Sequence, residues 1–413
     1  MKARWESKPL SEVCQFINRG ISPAYVNTGG VAVLNQKCVR DHAVNFDLGR
    51  RHDTAVKKVS PERLLRAGDV LVNSTGTGTL GRVAQLRCGP SEPTTVDSHV
   101  TIVRPAPDLF HPEFFGYALV SIEGQLQAGG EGCGGQTELS RSKLAEGYRI
   151  GFPTSQDEQS RIVAILDDAF EGIATSKAHA ERNLQNAREL FDCQLQAQLC
   201  SSGNQGNLRT VRDLVDQGVL DKPQDGNHGE IHPTKADYVD DGVPFLMAAD
   251  LTEGRASTRD CRFISRQQAM SLRIGFAKPG DVLLSHKGTI GRVAMLETDD
   301  DFVVLTPQVT YYRTLDQNRL FNHFLYYALR GPSFQAELNR IAGAGSTRAY
   351  IGITRQLDLR IAVPPVDVQR RIAAKLQRTE EATKALEGIF LGKLAALEEL
   401  KQSLLHQAFS GQL

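Results

Sequence analysis

Gly280-Asp281-Val282-Leu283-Leu284-Ser285-His286-Lys287-Gly288-Thr289-Ile290-Gly291-Arg292-Val293-Ala294 has a near twin earlier in the same chain. The twin is Gly68-Asp69-Val70-Leu71-Val72-Asn73-Ser74-Thr75-Gly76-Thr77-Gly78-Thr79-Leu80-Gly81-Arg82-Val83-Ala84. Two extra residues of the first copy fall in the turn. The register between copies, about 210 residues, recurs elsewhere. Ser98-His99-Val100-Thr101-Ile102-Val103-Arg104 aligns with Pro307-Gln308-Val309-Thr310-Tyr311-Tyr312-Arg313, Tyr117-Ala118-Leu119 with Tyr327-Ala328-Leu329, and Gln159-Ser160-Arg161-Ile162 with Gln369-Arg370-Arg371-Ile372. The period is too long for a solenoid and marks a tandem pair of modules.

Each module opens with a globular part. Short β-branched runs at Val31–Leu34, Asp69–Val72, Arg82–Leu86 and Val100–Val103 read as strands, and His111-Pro112-Glu113 opens a helix. Short helices are also expected at Ser11–Phe16 and from Ser60 onward. The fold class is α+β. Each globular part then gives way to a heptad seam. In the first, apolar or small residues fall at Ile162, Leu166, Ala169, Ile173, Ala180, Leu184, Ala187, Phe191 and Leu195, with Ser176 in the one missing place. In the second they fall at Ile372, Leu376, Leu386, Phe390, Leu394, Leu397, Leu404 and Ala408, with Thr379 and Thr383 between. Each seam predicts some 40 residues of helix, roughly 60 Å at 1.5 Å per residue. Two such helices are expected to pack as an antiparallel coiled coil. The expected divisions are a globular part at 1–155, a helix at 156–203, a globular part at 208–366, and a helix with tail at 367–413.

Composition narrows the function. With 413 residues, 40% of them hydrophobic, the chain can bury several cores. Lys plus Arg and Asp plus Glu each number 48, so a nucleic-acid ligand would meet local patches rather than a basic whole. Seven scattered cysteines without a CxxC pair point to a reducing cytoplasm and no structural zinc. No run approaches the roughly 20 apolar residues of a membrane span, and Met1–Leu10 lacks a signal-peptide core.

Several chemistries are excluded by motif. Gly76-Thr77-Gly78-Thr79-Leu80-Gly81 matches GxGxxG, but a dinucleotide fingerprint must open a helix, and a strand follows here. The glycines are better read as the φ > 0 positions of a turn. No phosphate-binding Gly-Lys loop occurs. Pro364-Pro365 is flanked by Val363 and Val366, not by the Asn/Asp and aromatic of an amino methyltransferase. Asp281 with Lys287 lacks the second acid of a nuclease core, whose place Ser285 takes. No catalytic residue, metal or cofactor is expected.

What remains is contact chemistry. The turn residues Asn73, Ser74, Thr75, Thr77, Ser285, His286 and Lys287, with the repeat-related His99 and Gln308, offer donors suited to phosphates and base edges. Arg19, Lys37, Arg50 and Arg51 in the first part are candidate phosphate contacts, and so are Thr347 and Arg348 on the small-residue loop Gly343–Arg348. The counterpart loop at Gly134-Gly135-Gln136-Thr137 lacks the arginine.

The paired GDVL…GxxGRVA segments, the helix entries Pro153 to Leu166 and Pro364 to Leu376, and the closing Leu404–Leu413 resemble the specificity subunit of type I restriction-modification systems. The resemblance spans nearly the whole chain. It implies two target recognition domains, each reading half of a split double-stranded DNA target, alternating with two long helices. It implies two modification subunits as partners, restriction subunits in the full complex, and no catalytic residue in the chain itself. A standalone DNA-modifying enzyme and a protein-binding scaffold are the alternatives from other classes.

Overall fold

The structure, a computed structural model, describes residues 4–132, 137–200, 208–228, 232–343 and 350–413. It divides into two units, Met1–Glu181 with Gly392–Leu413, and Arg182–Leu391.

In unit 1 a four-stranded sheet carries the repeated segment. Its strands are β1 (Cys14–Arg19), β2 (Val70–Asn73), β3 (Val83–Gln85) and β4 (Val100–Pro105), in the order β1-β4-β2-β3. β2 and β4 pair antiparallel from Val70 opposite Val103 to Asn73 opposite Val100. Both strands are buried on both faces, which suits their continuous β-branched runs. The helix α1 (Pro112–Ser121) lies against the sheet, burying Phe114, Phe115, Ala118 and Leu119. A second four-stranded sheet is built from Tyr25–Val26, Val31–Leu34, Arg50–His52 and Thr94–Val96. The long helix α2 follows, Gln156–Cys200.

Unit 2 repeats the plan with β5 (Gln224–Asp225), β6 (Val282–Ser285), β7 (Val293–Met295) and β8 (Val309–Tyr312), in the order β5-β8-β6-β7 with two short strands added beyond β7. β6 and β8 pair from Val282 opposite Tyr312 to Ser285 opposite Val309, the register of the first copy. The helix α3 (Asn322–Arg330) stands where α1 does, and a five-stranded sheet replaces the four-stranded second sheet. The long helix α4 runs from Val366 to Phe409.

Two expected helices are shorter than their sequences suggest. The segment after Ser60 makes only a 3-10 turn, Pro61–Arg63. Leu10–Val13 is one helical turn that gives way at Cys14 to β1, because Cys14, Phe16, Ile17, Asn18 and Arg19 are taken up by pairing with β4.

The Gly-Asp that opens each repeated strand has a structural cause. Gly68 and Gly280 hold φ of 86° and 87°, a conformation that disfavours any side chain. The aspartate that follows faces inward and binds an arginine on the neighbouring strand with both oxygens. Arg104 reaches Asp69 at 2.6 and 2.8 Å; Arg313 reaches Asp281 at 2.9 and 2.7 Å. Each carboxylate also accepts a backbone N–H three residues upstream, from Arg66 and Lys278. Burial pushes the Asp281 carboxyl up, against the pull of Arg313 and of the Lys278 N–H.

Each long helix is docked by one buried glutamine. Gln159 accepts the N–H of His111 at 2.7 Å and donates to the carbonyls of Pro153 and Leu109. Gln369 accepts the N–H of Phe321 at 2.8 Å and donates to Pro364 and Arg319. Beyond the dock, the residues of the first seam are buried or half-buried throughout. In the second seam Leu386 departs and is exposed, while Thr383 is buried and bonds back to the Glu380 carbonyl.

Replacing Asp69 by Ala leaves Arg104 buried and unpaired, for which a loss of about 3–5 kcal/mol is expected. Urea denaturation followed through the unit 1 transition measures it, and a loss below about 1 kcal/mol would show that the pair is not structurally important.

Candidate nucleic-acid interface

Four segments converge beyond the ends of β2 and β6, and the same backbone hydrogen bonds assemble them in each unit. Ser74 N–H donates to His99 O at 2.8 Å, and His286 N–H to Gln308 O at 2.9 Å. Leu139 N–H donates to Ser74 O, and Ile351 N–H to His286 O. Thr75 bridges Glu138, and Lys287 bridges Tyr350. Inside each turn, Asn73 N–H meets Arg82 O, and Ser285 N–H meets Arg292 O, both at 2.9 Å. The turn glycines Gly76, Gly78, Gly81, Gly288 and Gly291 all hold positive φ, and a strand rather than a helix follows each turn.

This framework sorts the candidate residues. Asn73, Ser74, Ser285 and His286 are fully buried. Asn73 donates to the Gln36 carbonyl, Ser74 shares a hydrogen bond of 2.5 Å with Thr101, and Ser285 accepts from the Arg292 N–H. They shape the turns and present nothing to a surface. Thr75 is half-buried and bonds the exposed His99 at 2.7 Å, while Thr77, Lys287 and Gln308 are exposed. Arg19, at the end of β1, reaches Glu138 at 2.6 Å and the Leu139 carbonyl at 3.0 Å, and so joins the same face.

Three candidates lie elsewhere in unit 1. Arg50 and Arg51 are on a strand of the second sheet. Arg50 lies over the Tyr25 ring at 3.5 Å, and Arg51 is bound by Glu92 and by the Gly29 carbonyl. Lys37 is exposed on a short turn capped by Asn35. Thr347 and Arg348 lie outside the described residues, as does Gln136 in the counterpart loop.

Sequence reasoning missed Asp225, His228 and Tyr350, and met Glu138 only as a divergent loop residue set against Arg348. Glu138 and Tyr350 stand next to Leu139 and Ile351, which keep the repeat register, but neighbours so unlike each other carry no repeat signal. Asp225 stands at the end of β5, as Arg19 does at the end of β1. Its carboxylate is 2.9 Å from His228 Nε2 and 3.7 Å from His286 Nε2. His286 Nδ1 lies 2.9 Å from the Ile351 carbonyl, so Nδ1 carries the proton and donates it. Nε2 is then a bare lone pair facing a carboxylate, without a hydrogen-bond partner among the described residues. Burial pushes His286 below the usual histidine range. The Ile351 carbonyl and Asp225 oppose that shift, and His228 and Lys287 reinforce it. Among the described residues no group of three or more His, Cys, Asp or Glu is arranged to hold a metal ion, and no helix is long and apolar enough to cross a membrane.

Comparison with known proteins finds the likeness of this duplicated α+β framework with two long helices among type I restriction-modification specificity subunits. The profile of the type I restriction modification DNA specificity domain matches residues 228–391. The specificity subunit of the type I restriction enzyme EcoBI from Escherichia coli is 21% identical over 387 residues, covering 85% of this chain and 80% of that protein. A chain from a structural study of complex assembly and conformational transition of the type I R-M system shares the fold with TM-score 0.77 at 20% identity, over all of both chains. The HsdS subunit of Thermoanaerobacter tengcongensis follows at 0.56 and 20%, over 99% of this chain and 97% of that one.

The neutral His286 has a pH signature. An unfolded histidine takes up a proton near pH 6.5. The buried one resists, so the unfolded state binds more protons below that pH and the fold loses stability as pH falls. His286→Asn keeps an N–H for the Ile351 carbonyl and cannot titrate. Between pH 7.5 and 5.5 the wild-type unit 2 is expected to lose more melting temperature than the variant; identical slopes would contradict a neutral, buried ring.

Proposed function

We propose that the chain is the DNA sequence-recognition subunit of a cytoplasmic type I restriction-modification complex. Target recognition domains at 1–155 and 208–366 each read one half of a bipartite double-stranded DNA target. The observation that carries this reading is the face described above, with one set of backbone bonds and two sets of side chains. Two readers of different half-sites need that combination, whereas duplicated scaffolding alone gives no reason for the tips to differ. The specificity-domain profile over 228–391 and the EcoBI relative support the same reading. Double-stranded DNA, two modification subunits and, in the full complex, restriction subunits are the partners.

The helices α2 and α4 pair as an antiparallel coiled coil that sets the spacing of the half-sites and binds the modification subunits. Contacts within the units support the direction. In unit 1, Arg161 near the start of α2 donates to the Leu413 carbonyl at 2.8 Å, and Ile162 and Leu166 share a core with Leu405 and Ala408. In unit 2, Arg188 pairs with Glu387 at 3.3 Å, and Phe191 and Leu195 share a core with Ile372 and Leu376.

The decisive experiment exchanges residues 208–366 for the matching domain of a relative and maps methylated sites genome-wide. One half of the target should change. A change in both halves would contradict independent reading, and methylation without any sequence preference would contradict recognition itself. Lys287→Ala should weaken binding similarly across sequences and make its salt dependence shallower by about one unit of slope if the lysine meets a phosphate.

The helices give a second test. Four residues inserted near Lys177–Arg182 lengthen α2 by about 6 Å, which is one or two base pairs at about 3.4 Å each. One extra turn keeps the apolar seam nearly in phase. A longer spacer at reduced activity is expected, with both half-site sequences unchanged. An unchanged spacer at full activity would remove the helices from the role of ruler.

A further inference from the structure

The position after each turn that differs most in chemistry is the one bridged to the turn itself, Glu138 in unit 1 and Tyr350 in unit 2. Both are bridged to the turn, and Glu138 also exchanges two backbone hydrogen bonds with Glu131. Each backbone pairs with the residue that follows the buried turn residue, Thr75 or Lys287, and each precedes a residue that is almost wholly buried, Leu139 or Ile351. The backbone of each is therefore held beside its turn. Yet the side chains point outward: Glu138 is 54% exposed and Tyr350 47%. A rigid backbone under an exposed side chain is the arrangement that positional readout requires.

The two side chains are also prepared differently. Glu138 is oriented by Arg19, whose Nη2 stands 2.6 Å from one carboxylate oxygen and also donates to the Leu139 carbonyl. The contact offsets the repulsion between a carboxylate and DNA phosphates while leaving lone pairs to accept from a base. Tyr350 rests against the buried His286 ring, with centroids 5.7 Å apart, and Lys287 Nζ lies 6.0 Å from the Tyr350 centroid. The aromatic ring is thus held by a buried residue on one side and accompanied by a cation that suits a phosphate. An exposed tyrosine so placed adds little to its own core.

We propose that this shared position is specificity-determining in both units: Glu138 selects a base pair that offers an exocyclic amino group in the major groove, and Tyr350 selects a thymine methyl through its ring. The inference rests on the DNA-reading function proposed above and adds which residue carries discrimination and for which base chemistry. Arg19 is then a positioning residue, acting through Glu138, and His286 one acting through Tyr350.

The test uses the chain assembled with its modification subunit and a duplex library randomised in both half-sites. Glu138→Ala and Glu138→Gln should each lose discrimination at a position of the first half only, by about five- to hundred-fold. Tyr350→Ala should do the same in the second half only, and Tyr350→Phe should retain the wild-type preference because the ring is kept. Melting temperatures of the four variants should match the wild type, since neither side chain is buried. Unchanged preferences in the alanine variants would overturn the proposal. So would a loss spread evenly over all sequences, which is the mark of a phosphate contact or of a purely structural role. A wild-type complex with no preference at all would instead overturn the DNA-reading function on which the proposal stands.

Discussion

Two buried side-chain amides, Gln159 and Gln369, couple each globular part to its long helix. Each sits in the first turn of its helix and satisfies backbone groups from two other segments: an N–H at the cap of α1 or α3, the carbonyl two residues before that cap, and a carbonyl just before the long helix begins. Among side chains of that reach, only glutamine offers an acceptor and two donors at once. Glutamate would bring two acceptors against two carbonyls. The spacing from Pro153 to Gln159 is six residues and that from Pro364 to Gln369 is five, yet the same three bonds form. The constraint is therefore set by where the donors and acceptors must meet, and the chain accommodates the extra residue.

The buried Asp-Arg pairs serve a related purpose at the other end of the sheet. They hold the strands in a single register, and slipping by one residue would turn every strand side chain to the opposite face. Once register is fixed, the backbone of the turn is fixed with it, because Asn73 and Ser285 close their turns with the same N–H and C=O bonds. Such a framework can tolerate different side chains at its tips. Arg19 and Asp225 occupy equivalent strand ends with opposite charge, one tied directly to the 138–139 segment, the other facing the His286 ring that is tied to Ile351.

Much of this was legible in the sequence. The duplication followed from the Gly-Asp strands, the helices from their heptad seams, and the turn character of the GxGxxG segment from the strand after it. Each of these rests on a local period or a backbone demand, which one sequence displays. The face was less legible. Asn73, Ser74, Ser285 and His286 looked like contact residues because they are polar and stand in a turn, but a turn built into four converging segments buries its first residues. The place of Glu138 and Tyr350 beside the turns was invisible for the converse reason. They lie some 60 residues after their turns in each copy, and only tertiary bridging brings them alongside Thr75 and Lys287.

Several of the candidate cations of unit 1 are engaged within the fold. At the face, Arg19 is paired with Glu138; on the second sheet, Arg51 is paired with Glu92 and Arg50 lies on an aromatic ring, so these candidate cations are already engaged within unit 1. Unit 2 leaves Lys287 beside an uncharged ring instead. Nonspecific phosphate attraction grows with every free cation and carries no sequence information. A DNA reader of the kind proposed above gains from suppressing that term, because its specificity is the difference between correct and incorrect sites. Under the proposed function, the internal ion pairs limit indiscriminate binding, the shared framework supplies rigidity, and the bridged side chains, Glu138 oriented by Arg19 and Tyr350 by His286, are left to distinguish one base pair from another.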